Sequence, residues 1–165
     1  MNDRARQLEA KKMAERIQQD HQKAEHYLLW YHKEYKAYQE ARKIFVTRGR
    51  YGCAGRDPTG DAAERGIFFD MKSEAFSWLR AVDLMEQELP NEKYLFLTLR
   101  REAELQKSNG FSRGRHGWML RVQRKLAEVI GKDHPNYWPG ERTLRSWWKD
   151  MVIRTADIQT RLQKK

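Results

Sequence analysis

Apolar and polar positions follow a helical period along almost the whole chain. From about Asp3 to Val46 one long polar stretch lacks Gly and Pro, and its apolar or small positions recur in steps of three and four. Such steps predict a single long helix with a heptad-type seam that is weak at its N-terminal end and aromatic at its C-terminal end. The seam consists of Ala10, Ala14, Ile17, His21, Ala24, Leu28, Tyr31, Tyr35, Tyr38, Arg42 and Phe45.

This first helix would be roughly 60 Å long for its roughly 40 residues, which is more than a small domain can cover. Two arrangements are open. The helix either packs on its own domain through Tyr27–Phe45, with the residues before about 20 frayed, or it pairs with another copy of the chain. A homo-oligomer formed through the N-terminal helix is therefore one of two expectations.

A second helix is predicted to begin at Asp57 and Pro58. Asp is a favoured N-cap, Pro suits the first helical position, and Asp61 and Glu64 favour the positive helix end. The apolar positions that follow predict one amphipathic helix that ends at Pro90. Its buried face would consist of Ile67, Met71, Ala75, Trp78, Leu79, Val82, Met85 and Leu89.

Two further helices are predicted before the last one. No segment alternates apolar and polar residues for long enough to predict a strand, so the predicted fold class is all-α. The first runs from about Asn91 to Gln106, and the second follows the break at Ser108-Asn-Gly. The first draws its apolar surface from Tyr94, Leu95, Leu97 and Leu99. The second is expected to bury Trp118, Met119, Val122, Leu126, Val129 and Ile130.

The last predicted helix is the most informative segment; it opens at Glu141 after an irregular turn at residues 131–140 that contains Pro135 and Pro139. One face is apolar and predicts burial, with both adjacent tryptophans in the core. The opposite face suits either a plain solvated surface or insertion into a DNA major groove. The apolar face consists of Leu144, Trp147, Trp148, Met151, Val152 and Thr155. The opposite face consists of Arg142, Ser146 and Lys149, with Arg145 beside them.

These patterns divide the chain into four segments. Residues 1–47 form the long helix, 48–56 a Gly-rich basic loop, 57–108 an amphipathic helix pair, and 109–165 a helix-turn-helix region.

The chain is basic, with 33 Lys and Arg against 23 Asp and Glu, a formal charge of +10 and a pI near 9.8. The middle, residues 57–100, is acidic with 5 cations and 9 anions, whereas residues 101–165 hold 15 cations and 7 anions. A basic C-terminal region favours a polyanionic partner.

The same composition excludes several classes of protein. Cys53 is the only cysteine, so neither an intramolecular disulfide nor a thiolate zinc site can form. No apolar run approaches the ~18–20 residues of a membrane span, and the polar N-terminus is unlike a signal peptide. We therefore expect a cytoplasmic protein without a membrane partner.

Motifs that carry catalysis are also missing. The loop Arg48–Arg56 has glycines but no preceding strand and no following Lys-Ser/Thr, so a phosphate cradle is not predicted. The histidine spacings match no metal site, and the pair Asp133–His134 alone is weak support for a nuclease. We expect no enzyme, no metal and no cofactor.

The order of motifs resembles the small phage-encoded transcriptional regulators of the ArpU and RinA type. In that family the C-terminal half is similar to the DNA-binding region that ends sigma-70-type factors. The resemblance rests on Asp57-Pro58-Thr59 with Ala62-Ala63, Trp78-Leu-Arg-Ala-Val82, Leu89-Pro-Asn-Glu-Lys-Tyr-Leu-Phe-Leu97 and Glu141-Arg-Thr-Leu-Arg-Ser-Trp147.

The resemblance implies a phage or prophage activator of late genes that works in the cytoplasm of a bacterial host. We expect it to bind double-stranded DNA in a sequence-specific way, and Leu89–Leu97 with the acidic second helix is a candidate contact for RNA polymerase. The expected base-reading residues are Arg142, Thr143, Arg145, Ser146 and Lys149. The expected phosphate anchors are Arg113, Arg115, Arg121, Arg124 and Lys125.

Two departures from the family concern the geometry of DNA binding. The approach Arg100–Gly117 is longer and more basic than usual, and the turn Lys132–Gly140 exceeds the usual three or four residues.

An alternative from another class is the small subunit of a phage terminase, which also joins a helix-turn-helix to a coiled-coil helix. Such a packaging adaptor forms a ring, so stoichiometry separates the two interpretations.

Overall fold

The computed structural model describes residues 3–48, 58–108, 117–130 and 139–164, and helices account for nearly all of them. No strand occurs in these ranges, so the predicted all-α class with a long N-terminal helix is confirmed. The helices are α1 (Asp3–Arg48), α2 (Pro58–Lys72), α3 (Glu74–Gln87), α4 (Asn91–Ser108), α5 (Gly117–Ile130) and α6 (Glu141–Gln163). Asp57, the predicted N-cap of the second helix, lies outside the described residues.

Helix α1 has 46 residues but packs on the rest of the chain only through its second part. Residues 3–19 are all exposed, whereas Ala24, Leu28 and Tyr38 are buried. The predicted seam is therefore used from about residue 20 onward except at Tyr35 and Phe45, which are exposed. Residues 3–19 remain helical and bury nothing against the described chain. Pairing of this first part with another copy stays a prediction.

A kink interrupts α1 at Trp30, whose backbone angles (φ −106°, ψ 20°) are not helical. Arg101 of α4 reaches this point and donates a hydrogen bond from Nε to the Leu28 carbonyl oxygen at 2.6 Å. Its guanidinium also bonds Glu86 of α3 at 2.5 Å and lies over the Tyr31 ring. A side chain that inserts a donor beside the backbone ladder is a recognised cause of a helix kink.

The predicted single helix from Asp57 to Pro90 is wrong, because Ser73 divides it into α2 and α3. Ser73 has an extended backbone, and its hydroxyl accepts a hydrogen bond from the Phe76 amide at 3.4 Å as the N-cap of α3. Serine competes for backbone hydrogen bonds in this way, and so it favours caps over helix interiors. As a result Ile67 and Met71 are exposed, although a continuous helix would have buried them with Trp78.

Helix α2 packs against the C-terminal part of α1. The Tyr38 hydroxyl donates to Asp70, and the Arg42 guanidinium lies 2.8 Å from the same carboxylate. Burial would raise the pKa of Asp70, but the hydrogen bonds from Arg42 and Tyr38 outweigh it and hold that pKa below its ordinary value. Gly66 is buried opposite Arg42, and its lack of a side chain leaves room for the guanidinium.

Helix α3 is the centre of the core and packs chiefly against α6 and α1. The Trp78 ring is buried and stacks on Tyr27 of α1 at 5.9 Å between ring centroids. The buried residues of α3 are Trp78, Leu79, Ala81, Val82 and Met85. All of these except Ala81 belong to the predicted apolar face, so that part of the pattern is confirmed.

Helices α4 and α5 complete the core, with α5 packed chiefly on α4. Leu97 and Leu99 of α4 are buried as predicted, as are Met119, Val122 and Leu126 of α5. Two predictions here are wrong. Tyr94 is 49% exposed because Phe96, which the pattern did not select, takes the buried position, and Val129 is 68% exposed because α5 rests mainly on α4. Trp118 and Ile130 lie outside the described side chains.

Candidate nucleic-acid interface

Helix α6 is anchored by one continuous buried stripe, because it packs against α3, α1 and α4. The stripe contains the four predicted residues Leu144, Met151, Val152 and Thr155, and Leu144 and Thr155 are fully buried. Ala156, Ile158 and Gln159 extend it toward the C-terminus. The recurrence of these positions every three or four residues fixes which side of α6 faces solvent.

The two adjacent tryptophans of α6 pack on neighbouring helices, as predicted. The Trp148 indole nitrogen donates to the Glu25 carboxylate of α1 at 3.0 Å, and the Arg100 guanidinium lies over the same ring. Trp147 meets Phe96 of α4 edge to face at 5.9 Å between centroids. Both rings therefore hold α6 in place, and neither stands free as a stacking platform.

The five residues predicted to read DNA bases are all exposed on α6. Arg142, Thr143, Arg145, Ser146 and Lys149 lie away from the Leu144 stripe, so the helix presents three cations and two hydroxyls to solvent. Arg145 pairs with Glu141 one turn earlier, and both side chains are largely exposed. Such an i, i+4 pair is worth only about 0.3–0.5 kcal/mol, so a phosphate or a base edge can replace it readily.

Arg142 and Lys149 make no ion pair with any residue that the structure describes. They lie seven residues apart on the same helix face, about 10 Å along the axis. Further along that side Asp150 and Asp157 are exposed. Three of the five cations of α6 thus lie in its first three turns, which is where a recognition helix touches base edges.

The N-terminus of α6 adds backbone donors to these cations. Gly140 is the N-cap and supplies no side-chain cap hydrogen bond, and its carbonyl accepts from the Leu144 amide at 3.1 Å. First-turn amides that lack intrahelical partners favour anions at this end of a helix. Glu141 opposes that preference in part, because its carboxylate lies in the same turn.

The predicted phosphate anchors divide into two groups. Arg121 hydrogen-bonds Gln106, and Lys125 lies 3.5 Å from the Glu102 carboxylate, so both are held by α4. Arg124 is exposed and has no ion pair in the described part of the chain. Of the three anchors on α5, Arg124 is thus the one presented most freely. Arg113 and Arg115 lie outside the described residues.

Lys93 is a candidate contact that sequence reasoning missed. It lies in the first turn of α4, and its Nζ is 5.9 Å from the Trp147 ring centroid, beside the first turns of α6. No sequence pattern joins Lys93 to Trp147, because their proximity depends on how α4 packs against α6. Lys93 extends the cationic surface of α6 onto a second helix.

A helix-turn-helix requires two consecutive helices that pack on each other, and the structure does not show this pairing for α5 and α6. Helix α5 rests mainly on α4, whereas α6 rests mainly on α3 and α1. Residues 131–138 of the predicted turn lie outside the described residues. A hydrogen bond links α5 to the residues just before α6, since the Gln123 side-chain amide donates to the Pro139 carbonyl oxygen at 2.8 Å.

Other kinds of site find little support in the described residues. No group of His, Cys, Asp or Glu among them could hold a metal ion, and none of their helices is both long and apolar enough to cross a membrane. A cleft between α4 and α5, lined by Leu99, Glu102, Arg121 and Val122, has a cavity volume of about 10 Å³, room for about one water molecule. Typical ligand sites start at about 300 Å³, so this cleft is small for a cofactor.

Comparison with known proteins returned no relative. No family model matches the chain, and neither a curated protein nor a solved structure is significantly similar to it. The features that bear on function are therefore the surface of α6 and the charge of the chain.

Proposed function

We propose that this protein binds double-stranded DNA through the first three turns of α6 and regulates transcription, as an activator of the ArpU and RinA type. One observation carries the proposal. A helix held firmly by a buried stripe presents Arg142, Arg145 and Lys149 to solvent at its N-terminal end. A rigid helix with exposed cations at its tip suits insertion into a major groove.

The wider charge distribution supports the same partner. The chain carries a formal charge of +10, and residues 101–165 contribute most of it. Neutralised phosphates release counterions, so these cations would supply most of the affinity, and the α6 tip would supply the discrimination between sequences. Lys93 on α4, beside the first turns of α6, and Arg124, exposed on α5, are the described candidates for phosphate contact.

A second candidate is the small terminase subunit, a DNA-packaging adaptor. The observation that favours it is the exposed first part of α1, since residues 3–19 form a helical arm available for assembly. Mass measurement in solution separates the two functions. A ring of about eight or more chains supports the adaptor, whereas a monomer or dimer supports the regulator.

Selection of bound fragments from phage and host DNA tests the regulatory function directly. We expect the native protein to enrich a segment upstream of a late operon. The double variant Arg142→Ala/Lys149→Ala should lose that enrichment, and Arg161→Ala, exposed near the other end of α6, should retain it. Enrichment at a packaging site would support the adaptor, and enrichment of no segment would refute sequence-specific binding.

A further inference from the structure

The hairpin formed by α2 and the C-terminal part of α1 presents an apolar surface to solvent, here called the α1–α2 patch. Phe45 of α1 and Phe68 of α2 stack at 6.3 Å between centroids, which joins the two helices into one surface. Met71 is 80% exposed, more than any other large apolar side chain described. The patch consists of Phe45, Ile67, Phe68 and Met71.

Apart from the Phe45–Phe68 stack, the patch faces away from the contacts that hold α2 in the fold. Phe69 and Asp70 point toward α1, where they contact Tyr38, and Gly66 is buried on the same side. At 100° per residue, Ile67, Phe68 and Met71 lie on the opposite side of α2. The described helices thus cover one side of α2 and leave its apolar side open.

The size of the patch suits a small protein interface. At roughly 200 Å² for a large apolar side chain, the exposed fractions of its four residues amount to roughly 460 Å². That value lies within the roughly 300–600 Å² found for the largest patch on a typical monomer, which is often functional. Two such patches face to face would bury roughly 900 Å², which with a polar rim approaches the lower limit of the 1,200–2,000 Å² class.

The charges that flank the patch favour a second copy of the same chain. Glu64 and Lys72 lie four residues before and after Phe68, and both are exposed. Lys72 lies over the Phe68 ring, and neither residue has an ion pair among the described residues. In two antiparallel α2 helices related by a two-fold axis near Phe68, Glu64 of each copy lies beside Lys72 of the other.

We propose that the α1–α2 patch binds a second copy of this chain, with the two α2 helices antiparallel about that axis. A two-fold interface needs a surface complementary to itself, and an apolar centre between Glu64 and Lys72 meets that need. A parallel pairing would instead bring like charges together. This interface is separate from the N-terminal part of α1 and does not depend on DNA binding.

Sedimentation equilibrium on the full chain tests the proposal, over loading concentrations of roughly 1–100 μM, where interfaces of modest size dissociate. We expect a monomer–dimer equilibrium. Met71→Glu should weaken it by about tenfold or more, because it places a carboxylate in the apolar centre. Val129→Glu is the matched control, because Val129 is 68% exposed on α5, and it should leave the equilibrium unchanged. Circular dichroism confirms that both variants are folded.

Charge reversal tests the antiparallel geometry. Glu64→Lys or Lys72→Glu alone should weaken the dimer, since each places like charges together at both ends of the interface. The double variant should restore the dimer to within a few-fold of the native chain. A monomer over the whole range, a dimer that tolerates Met71→Glu, or a double variant that stays weak would each overturn the proposal.

Discussion

Replacing Arg101 by Met should destabilise the fold strongly, although Arg101 belongs to a basic region of the sequence. Its side chain is 9% exposed, and its ion-pair partner Glu86 is 18% exposed. The same guanidinium donates to the Leu28 carbonyl oxygen beside the kink of α1. Arg→Met keeps most of the volume but leaves a nearly buried carboxylate and a carbonyl oxygen without their donor.

The magnitude follows from these two losses. Removal of one partner from a buried ion pair costs about 3–5 kcal/mol, and an unsatisfied buried carbonyl accounts for about 1–3 kcal/mol. Because the two losses are not additive, we expect Arg101→Met to lower the free energy of unfolding by about 3–5 kcal/mol. Urea unfolding followed by circular dichroism measures it.

Two further variants locate the cause of that loss. Arg101→Met/Glu86→Leu should be more stable than Arg101→Met alone, since it removes the unpaired carboxylate. Arg80→Met, on the exposed side of α3, should change stability by no more than about 0.5 kcal/mol. If Arg101→Met unfolds at the same urea concentration as the native chain, Arg101 does not hold α1, α3 and α4 together.

Three other predictions concern stability. Ser73→Ala should lower the free energy of unfolding in urea by about 0.5–2 kcal/mol. The value should lie toward the low end, because the cap hydrogen bond is 3.4 Å long. The control Ser146→Ala, at an exposed position of α6, should be near neutral. Leu144→Ala should cost about 2–5 kcal/mol in the same assay, because Leu144 is fully buried; a smaller loss would contradict its place in the core. Burial and carboxylate hydrogen bonds raise the pKa of Tyr31 and of Tyr38. The contribution of these two hydroxyls to the free energy of unfolding is therefore complete below about pH 10 and is lost as the pH rises above it. Urea unfolding midpoints at about pH 8 and pH 11 should show this fall, and the double variant Tyr31→Phe/Tyr38→Phe should reduce it.

The helical fold could be predicted because the spacing of the apolar positions shows which segments are helices and which of their faces are buried. The stripes of α3 and α6 needed no tertiary knowledge, since Trp78 to Met85 and Leu144 to Thr155 recur at helical spacing. The break at Ser73 was missed because the apolar period continues across it from Met71 to Ala75. A serine at the junction, followed by Glu74, was the signal that could have revealed it.

The candidate interface could be predicted only in part. The exposure of Arg142, Arg145 and Lys149 follows from the apolar stripe of α6, because the residues opposite a buried stripe on the same helix face solvent. Arg101 and Lys93 could not be assigned from the sequence. The burial of Arg101 depends on the kink of α1, and the proximity of Lys93 to α6 depends on how α4 packs. Cations look alike in a sequence, and tertiary packing separates structural from exposed ones.

The central claim is that α6 contacts DNA through its first three turns, and binding titrations test it most directly. Arg142→Ala and Lys149→Ala would be compared with Arg161→Ala, on a selected duplex and a scrambled one, at two salt concentrations. We predict that Arg142→Ala costs about 1–3 kcal/mol of discrimination between the duplexes. Lys149→Ala should weaken binding or flatten the salt dependence by roughly one unit, while Arg161→Ala changes neither. Equal affinities for all three variants and the native chain would contradict the claim.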